Sequence, residues 1–381
     1  MKILQVIQFF SPVHGGSVLP PYYISKELAR RGHEVTVYTS DYKLSHEWVK
    51  SLHQVKVCSF KTWSSFAKFY VTPDMVKKAR EEIKFFDLIH MHNYRTFQNI
   101  LVAHYAKKYG VPYVLQAHGS LPRIMAWKRL KWIYDVLFGY RLLRDASKVI
   151  ALSRVEAEQY RAMGVPEEKI AIIPNGIDLS EYANLPPKGS FKKKYDIGEE
   201  EKIVLYLGRI HKIKGIDILV KAFTNVIEKL DNVRLVIVGP DDGYLDELEA
   251  LTKALKMENN VLITGPLYGR DKLKAYVDAE VYVLPSRYET FPMTVLEAMA
   301  CRVPIILSKE CGISEVVRDN AGIMVNPSPT VLERALLRIL SDENLQRTCR
   351  EKCKTVIKNF DISKVVSKLE MVYEEVSNRE F

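Results

Sequence analysis

The chain has 381 residues, a formal net charge of +10, 47% hydrophobic residues and 27% charged residues. This composition is ordinary for a globular protein and excludes a disordered or fibrous chain, and the length suffices for two domains with separate cores. No apolar run approaches the roughly 18–20 residues that cross a bilayer, so we do not expect an integral membrane protein. The apolar start is too short for a signal peptide and the five cysteines are scattered, which together indicate a cytoplasmic protein.

Short apolar runs alternate with longer helical segments along the whole chain. The runs are residues 2–8, 34–39, 87–92, 112–117, 148–152, 202–207, 234–238, 261–264, 280–284 and 303–307. This alternation predicts two doubly wound, Rossmann-like α/β domains with parallel sheets and right-handed crossovers.

The prediction for the domains follows from a Pro- and Gly-containing linker at residues 185–190. It gives domains 1–185 and 186–361, followed by a C-terminal helical segment, 362–381, that packs back on the first domain. In open parallel sheets the ligand binds beyond the carboxyl ends of the strands, so we expect the two domains to face each other across a deep cleft that holds the chemistry.

The positive charge belongs to the first half of the chain. Residues 1–185 carry 26 Lys and Arg against 16 Asp and Glu, whereas residues 186–381 carry 30 of each. Segment 121–148 mixes cations with aromatic residues, namely Arg123, Lys128, Arg129, Lys131, Arg141, Arg144 and Lys148 with Trp127, Trp132, Tyr134, Phe138 and Tyr140. Two interpretations stay open: an amphipathic helix with its apolar side in the core, or contact with an anionic membrane. Nucleic acid is not expected, because no nucleic-acid-binding motif accompanies the charge.

The segment 281–300, VYVLPSRYETFPMTVLEAMA, carries two carboxylates around a helix start. It predicts a strand that ends at Pro285, a loop with Glu289, and a helix that opens at residues 292–294 and contains Glu297. A helix N-terminus binds anions, and carboxylates beside it accept hydrogen bonds from hydroxyl groups. An anion with hydroxyls on both sides describes a sugar nucleotide. The alternative is that Glu297 complements the helix dipole and Glu289 is solvated.

Two cations follow the strand predicted at 202–207, in the sequence Gly208-Arg209 and then Lys214-Gly215. Such a pair suits a diphosphate, since arginine binds phosphate oxygens in bidentate fashion and lysine supplies a point charge. No Asp-x-Asp occurs in the chain, so we expect neither a metal nor another cofactor to neutralise the leaving group. The pair His90 and His92 has spacing compatible with zinc but lacks a third ligand in its neighbourhood, which favours a structural role for His90.

Together with Gly15-Gly16, His118-Gly119 and Pro174-Asn-Gly-Ile-Asp178, these motifs occur in an order that resembles the retaining GT-B glycosyltransferases of family GT4. The resemblance spans nearly the whole chain. It implies a metal-independent, retaining hexosyltransferase that uses a UDP- or GDP-linked sugar. The acceptor hydroxyl stays open: the basic, aromatic first domain fits a lipid-linked sugar at the cytoplasmic face of the membrane, and a soluble glycan or small molecule is the alternative. The alternatives are a sugar-nucleotide epimerase, which needs no acceptor, and a non-catalytic sugar-nucleotide binding protein.

The resemblance also implies roles for individual residues. Arg209 and Lys214 bind the diphosphate, Glu297 the ribose hydroxyls, and Glu289 the sugar hydroxyls near the reacting carbon. His118 contacts the donor sugar and supports the transition state. The other implied donor-binding residues are Gly15, Gly16, Gly265, Leu267, Phe291, Pro292, Met293 and Thr294. The loop reads Glu-Thr-Phe-Pro-Met where the family commonly has Glu-Gly-Phe-Gly-Leu, so Pro292 lacks an N–H donor and the donor sugar stays open.

Overall fold

The computed structural model describes residues 1–66, 69–124, 126–318 and 321–378. The chain forms two compact units, an N-terminal unit of Met1–Ile177 with the chain from Ile362 onward, and a C-terminal unit of Asp178–Asp361. The sequence prediction had placed the first boundary after residue 185. Two parts of the predicted segments lie outside the described residues. They are Met125, in segment 121–148, and residues 379–381, at the end of segment 362–381.

The N-terminal unit is built on a parallel sheet of seven strands in the order β3-β2-β1-β6-β7-β8-β9. The strands of this unit, including the antiparallel hairpin β4-β5, are β1 Lys2–Val6, β2 Glu34–Ser40, β3 Val55–Phe60, β4 Ser64–Phe66, β5 Phe69–Val71, β6 Leu88–His92, β7 Tyr113–Gln116, β8 Lys148–Ala151 and β9 Ile170–Ile172. The order reverses between β1 and β6, which places a ligand-binding edge at the carboxyl ends of these two strands.

The C-terminal unit repeats this plan with six parallel strands in the order β12-β11-β10-β13-β14-β15. The strands are β10 Lys202–Leu207, β11 Val233–Val238, β12 Val261–Gly265, β13 Ala279–Leu284, β14 Ile305–Ser308 and β15 Gly322–Val325. Its strand order reverses between β10 and β13. Strand β10 is buried except at its first residue, and β13 is buried except at its second, Glu280, as expected for a sheet covered on both faces.

The helices follow the strands in alternation. They are α1 Leu19–Arg30, α2 His46–Lys50, α3 Met75–Glu82, α4 Phe97–Tyr109, α5 Lys128–Tyr134, α6 Tyr140–Asp145, α7 Arg154–Ala162, α8 Ser190–Lys194, α9 Ile216–Ile227, α10 Leu245–Ala254, α11 Gly269–Asp278, α12 Met293–Ala300, α13 Ser314–Arg318, α14 Pro329–Ser341, α15 Glu343–Val356 and α16 Ile362–Ser377. The prediction of two doubly wound α/β units is confirmed. Within the described residues, the search for a helix long and apolar enough to cross a membrane finds none.

The last helix, α16, packs on the N-terminal unit, as the sequence predicted. Its Leu369 and Tyr373 are buried, and the Tyr373 hydroxyl lies 2.7 Å from Nδ1 of His90 on β6. At the surface, Arg31 beyond α1 donates a hydrogen bond to Glu370. The contact buries the apolar side of an amphipathic helix, which is the main source of helix stability in proteins.

Candidate active site

The carboxyl ends of β10 and β13 bring together the residues that follow these two strands. The strands are neighbours in the sheet, with Val204 opposite Val281 and Leu205 opposite Tyr282. The loop after β10 carries Arg209 and Lys214, and the loop after β13 carries Glu289. Ligands bind at such a reversal of strand order, so this edge is the candidate site of the C-terminal unit.

Lys214 and Glu289 form an ion pair at this edge. Both side chains are largely buried, with 14% and 17% of their surface exposed. Gly215 permits the loop after β10 to approach the end of β13 closely. Its φ is +71°, and a Cβ there would lie 2.2 Å from the carbonyl oxygen of Pro285. The backbone of Glu289 is fixed in turn, since its carbonyl accepts a hydrogen bond of 2.9 Å from Gly312 N–H. The predicted phosphate-binding lysine therefore contacts the predicted sugar-binding carboxylate.

Arg209, the other cation of the predicted pair, contacts Asp242 in the loop after β11. The two loops are in close contact, because a Cβ on Gly239 would lie only 1.8 Å from the carbonyl oxygen of Gly208. Asp241 orders the second loop by accepting backbone hydrogen bonds from residues 243–245, and these bonds lower the pKa of its carboxyl. The sequence analysis did not identify Asp242, although Pro240-Asp-Asp-Gly243 after a strand is a signal that points to this loop.

Glu297 lies on α12 with 2% of its surface exposed. Its Oε1 is 2.7 Å from Lys272 Nζ, and its Oε2 accepts a hydrogen bond of 2.9 Å from the hydroxyl of Tyr276. Lys272 and Tyr276 are four residues apart on α11 and were missed by the sequence analysis. Their spacing puts both on one helix face, but no motif marks that face as the neighbour of α12.

The loop that leads into α12 has the predicted geometry. The helix begins at Met293, and Pro292 is its N-cap with extended backbone. Phe291 and Met293 are buried, while the Thr294 side chain lies 2.7 Å from the hydroxyl of Tyr282 on β13. The first N–H groups of the helix therefore belong to the same loop as Glu289, where their partial positive charge favours an anion.

Gly265 and Leu267, predicted to lie beside the base, are at the end of β12 and in the loop that follows it. The strand β12 is separated from β10 by β11. Gly265 has a φ of +74°, and its carbonyl accepts a hydrogen bond of 3.0 Å from Gly239 N–H. Gly265 is thus linked to the Arg209 loop through Gly239.

The N-terminal unit carries Gly15, Gly16 and His118 beyond the carboxyl ends of its strands. Gly15 has a φ of +85° between two short 3-10 turns that connect β1 to α1, and Gly16 is exposed. His118 follows β7 and has a left-handed backbone, with a φ of +51°. A left-handed histidine costs backbone energy that the surrounding contacts must offset.

A chain of hydrogen bonds fixes the imidazole of His118. His92 Nε2 lies 2.6 Å from Oε1 of Gln5, and His92 Nδ1 lies 2.9 Å from His118 Nε2. Burial lowers the pKa of His92 well below its usual value and that of His118 to about 3, so both rings are neutral near pH 7. Because the Gln5 oxygen accepts, His92 donates from Nε2 and accepts at Nδ1. His118 consequently donates from Nε2 and keeps a lone pair on Nδ1, an atom without a partner among the described residues.

His90 is buried beside this chain, and its Nδ1 contacts Tyr373. The ring centroids of His90 and His92 are 4.1 Å apart. In the described part of the chain there is no group of three or more His, Cys, Asp or Glu side chains placed to hold a metal ion. The two histidines of β6 thus take part in the packing of α16 and in the orientation of His118.

Glu156 on α7 supports the turn that carries His118, and the sequence analysis missed it. Its carboxyl accepts hydrogen bonds of 2.6 Å from Gly119 N–H and 2.7 Å from Leu152 N–H. Burial raises the pKa of this carboxyl to about 7. The sequence Ser153-Arg-Val-Glu156 is a capping-box signature, yet this glutamate binds the neighbouring turn as well as the start of its own helix.

Comparison with known proteins agrees with this architecture. Residues 15–181 match the model of Glycosyltransferase Family 4, and residues 187–356 match that of Glycosyl transferases group 1. An uncharacterised glycosyltransferase of Methanocaldococcus jannaschii is 30% identical, over 90% of this chain and 90% of its own. The N-acetyl-alpha-D-glucosaminyl L-malate synthase of Bacillus anthracis is 27% identical, over 96% of this chain and 95% of its own.

Solved structures show the same fold. The crystal structure of Anabaena HepE in complex with UDP has a TM-score of 0.82 at 21% identity, covering 98% of this chain and 100% of that one. WaaG, a glycosyltransferase involved in lipopolysaccharide biosynthesis, has a TM-score of 0.74 at 17% identity, covering 99% and 100%. The fold and the matched models define a glycosyltransferase of the GT-B type. This chain belongs to the family-4 glycosyltransferases.

Proposed function

We propose that this enzyme transfers a sugar from a nucleoside diphosphate to an acceptor hydroxyl, with retention of configuration and without a metal ion. The observation that carries the proposal is the contact of Lys214 with Glu289 at the carboxyl ends of β10 and β13. A cation and a carboxylate side by side match the two halves of such a donor. The lysine suits the diphosphate and the carboxylate suits the hydroxyls of the attached sugar.

The proposed donor is a UDP-sugar. The structure of Anabaena HepE, which shares the fold, was determined with UDP and with UDP-glucose. That likeness supports testing UDP-sugars first, with GDP-sugars as the second series. The acceptor that we propose is a hydroxyl of a glycan or of a lipid-linked sugar.

In the proposed reaction, the bond between the anomeric carbon and the diphosphate oxygen breaks as the acceptor oxygen bonds to that carbon on the same face. The departing diphosphate oxygen takes the acceptor's proton, which gives a glycoside and a nucleoside diphosphate. Lys214 and Arg209 stabilise the charge that develops on the diphosphate, a task otherwise given to a divalent metal.

The carboxylates of the site support orientation of the donor better than covalent catalysis. Glu289 is bound by Lys214, and Glu297 by Lys272 and Tyr276. Carboxylates that already accept hydrogen bonds are poor nucleophiles but well-fixed acceptors for further hydroxyl groups. In the N-terminal unit, the imidazole of His118, which His92 contacts, is proposed to interact with a substrate hydroxyl.

The experiment that tests this proposal is a thermal-shift screen with UDP-, GDP-, ADP- and TDP-sugars in EDTA, repeated with Lys214→Ala. A ligand at about 100 times its Kd stabilises the folded state by nearly 3 kcal/mol, so a true donor gives a clear shift. We expect the UDP series to stabilise the wild type and the Lys214→Ala variant to lose that shift. Sugar transfer to a candidate acceptor is then measured through the release of UDP. The anomeric configuration of the product is determined by proton NMR. A product with inverted configuration, or activity abolished by EDTA, contradicts the proposal.

A further inference from the structure

Large hydrophobic side chains are exposed along one segment of the N-terminal unit, made of α5, the π-helical turn Asp135–Gly139 and the start of α6. Each has between 40% and 62% of its surface exposed, and they are Trp127, Leu130, Trp132, Ile133, Val136, Leu137, Phe138 and Tyr140. Exposed apolar residues that occur singly are normal, whereas a run of them marks an interaction site. We call Arg123 together with residues 127–141 the basic aromatic surface.

The other side of this segment is anchored firmly in the N-terminal unit. Asp135 is fully buried and accepts hydrogen bonds of 2.8 and 2.7 Å from Arg95. Gly139 packs against Tyr94 so closely that a Cβ would lie 2.1 Å from the tyrosine hydroxyl. Leu142 is buried in the core. The apolar residues are therefore held outward by a fixed element.

The same surface contains a cationic pocket. Arg123, Lys128, Arg129 and Trp132 line an open pocket of about 430 Å³. The side chains of Lys128 and Arg129 make no hydrogen bond or ion pair with any other described residue. The carboxylate of Asp135, which lies in the same segment, is already paired with two arginines. Unneutralised cations beside an indole ring suit a phosphate group.

We propose that the basic aromatic surface lies on an anionic membrane, with a lipid phosphate group in the pocket of Arg123, Lys128, Arg129 and Trp132. A helix that mixes Trp, Leu and Phe with Lys and Arg rests in the plane of the interface, with its rings at the level of the headgroups. A second copy of the chain fits less well, because a symmetric contact would bring the same cations face to face. The inference rests on the proposed function in one respect only, in that it places the enzyme beside a lipid-linked acceptor.

The test is flotation of the full-length protein with vesicles of phosphatidylcholine, with or without phosphatidylglycerol, at increasing salt and without donor or acceptor. We expect binding only to the anionic vesicles and a loss of binding as salt rises. Each cation near an anionic surface contributes about fivefold to partitioning, so Lys128→Gln/Arg129→Gln should bind about 25-fold more weakly. Leu137→Ser/Phe138→Ser should also lose binding, because its apolar contact with the interface is gone.

Matched variants separate this surface from general charge and hydrophobicity. Lys193→Gln/Lys253→Gln removes two exposed cations of the C-terminal unit, and Val155→Ser/Ile172→Ser removes two exposed apolar residues elsewhere in the N-terminal unit. Both should bind like the wild type. Inorganic phosphate should displace the protein from vesicles no more than chloride does at the same ionic strength.

Three outcomes overturn the inference. They are equal binding to neutral vesicles, unchanged binding of both surface variants, and a dimer in light scattering that Leu137→Ser/Phe138→Ser dissociates while no vesicle is bound. Failure of this inference can be distinguished from failure of the proposed function, because vesicle binding is measured without transfer of a sugar.

Discussion

Lys214 and Arg209 each have a carboxylate partner, Glu289 and Asp242 respectively. A donor that binds as we propose must therefore compete for these cations or share them. A shared arrangement suits Lys214, because an ammonium group has three N–H donors. One N–H can keep its hydrogen bond to the Glu289 carboxylate while another donates to a phosphate oxygen. At the scale of single residues, the cations of the candidate site are thus already paired with carboxylates.

Replacing Lys214 by Ala should reduce kcat/KM by about 100-fold or more, because stabilisation of a developing anion by one donor is worth about 3 kcal/mol. Arg209→Ala should show a loss of similar size. The control is Lys212→Ala, which removes an exposed cation two residues away and should change kcat/KM by less than about twofold. Steady-state kinetics with a saturating acceptor make the measurement, and near-native turnover of both site variants would exclude a catalytic role for the pair.

The tautomer of His118 is a second prediction for single residues. If Gln5 and His92 fix the ring, the 15N NMR signals of His118 should show a neutral ring protonated on Nε2, unchanged from pH 5 to pH 8, since the pKa is lowered to about 3. His92→Phe removes the hydrogen bond, so the tautomers should mix and kcat should fall about tenfold, the value of one hydrogen bond of roughly 1.4 kcal/mol. The NMR signals of His118 are assigned by their absence from the spectrum of the His118→Gln variant. A His118 signal that titrates near pH 6.5 would show that the chain of hydrogen bonds does not control the ring.

The residues of the candidate site are positioned by contacts between pairs of elements more than by any single loop. Glu297 on α12 is held by two residues of α11, and the loops after β10 and β11 touch through Gly208 and Gly239. The two loops follow neighbouring strands, whereas α11 and α12 follow β12 and β13, which β11 and β10 separate in the sheet. The parallel sheet thus sets the spacing of the site, and glycines allow the loops to approach.

Gly239 and Gly243 offer a matched pair of substitutions in one loop. Both have positive φ, of +156° and +83°, but a Cβ at Gly239 would overlap the Gly208 carbonyl, whereas Gly243 has open space around it. Gly243→Ala should cost about 1 kcal/mol of unfolding free energy from backbone strain alone. Gly239→Ala should cost about 3 kcal/mol and weaken donor binding, because the Arg209 loop must move. Urea denaturation gives the comparison, and equal losses would argue against a role for the close approach.

Three buried histidines affect the acid stability of the N-terminal unit as a whole, and one of them, His90 on β6, contacts Tyr373 of α16. Burial lowers the pKa of His90 and His118 to about 3 and that of His92 well below normal. In the unfolded chain these groups have a pKa of about 6.5. Unfolding therefore takes up protons at acidic pH, and the unfolding free energy falls as pH decreases from about 6.5 towards 3. Glu156 acts in the opposite direction, because its raised pKa of about 7 makes stability fall as pH rises from about 4.5 to 7.

His90→Gln should make the pH dependence of stability shallower. As pH falls from 6 to 5, each buried neutral histidine lowers the unfolding free energy of the wild type by about 1.4 kcal/mol per pH unit. The unfolding free energy of the variant should therefore fall by about that much less per pH unit. Glutamine retains a hydrogen-bonding group near Tyr373. The measurement is the free energy of unfolding in urea at several pH values, and parallel curves for variant and wild type would contradict the neutral state of His90.

The sequence by itself determined the architecture of the two units and the strand ends that form the candidate site. Alternating short apolar runs and amphipathic helices encode two parallel sheets, because both patterns are set by residues close together in the chain. For the same reason the sequence predicts Arg209, Lys214 and Glu289 at strand ends, where they lie. The start of α12 at Met293 falls within the predicted range 292–294, and α16 packs on the N-terminal unit as predicted. The roles of these residues stay predictions, to be tested by the substitutions described above.

Only the tertiary structure decided which side chains meet. Lys214 and Glu289 are 75 residues apart in the chain, and His92 and His118 are 26 apart. No local pattern encodes such pairs, because they follow from the order of strands in the sheet. The sequence likewise left both interpretations of segment 121–148 open, and the fold places Trp132 and Phe138 in solvent while Leu142 enters the core. Helical periodicity states which residues share a face, but the packing of the rest of the chain determines which face is covered.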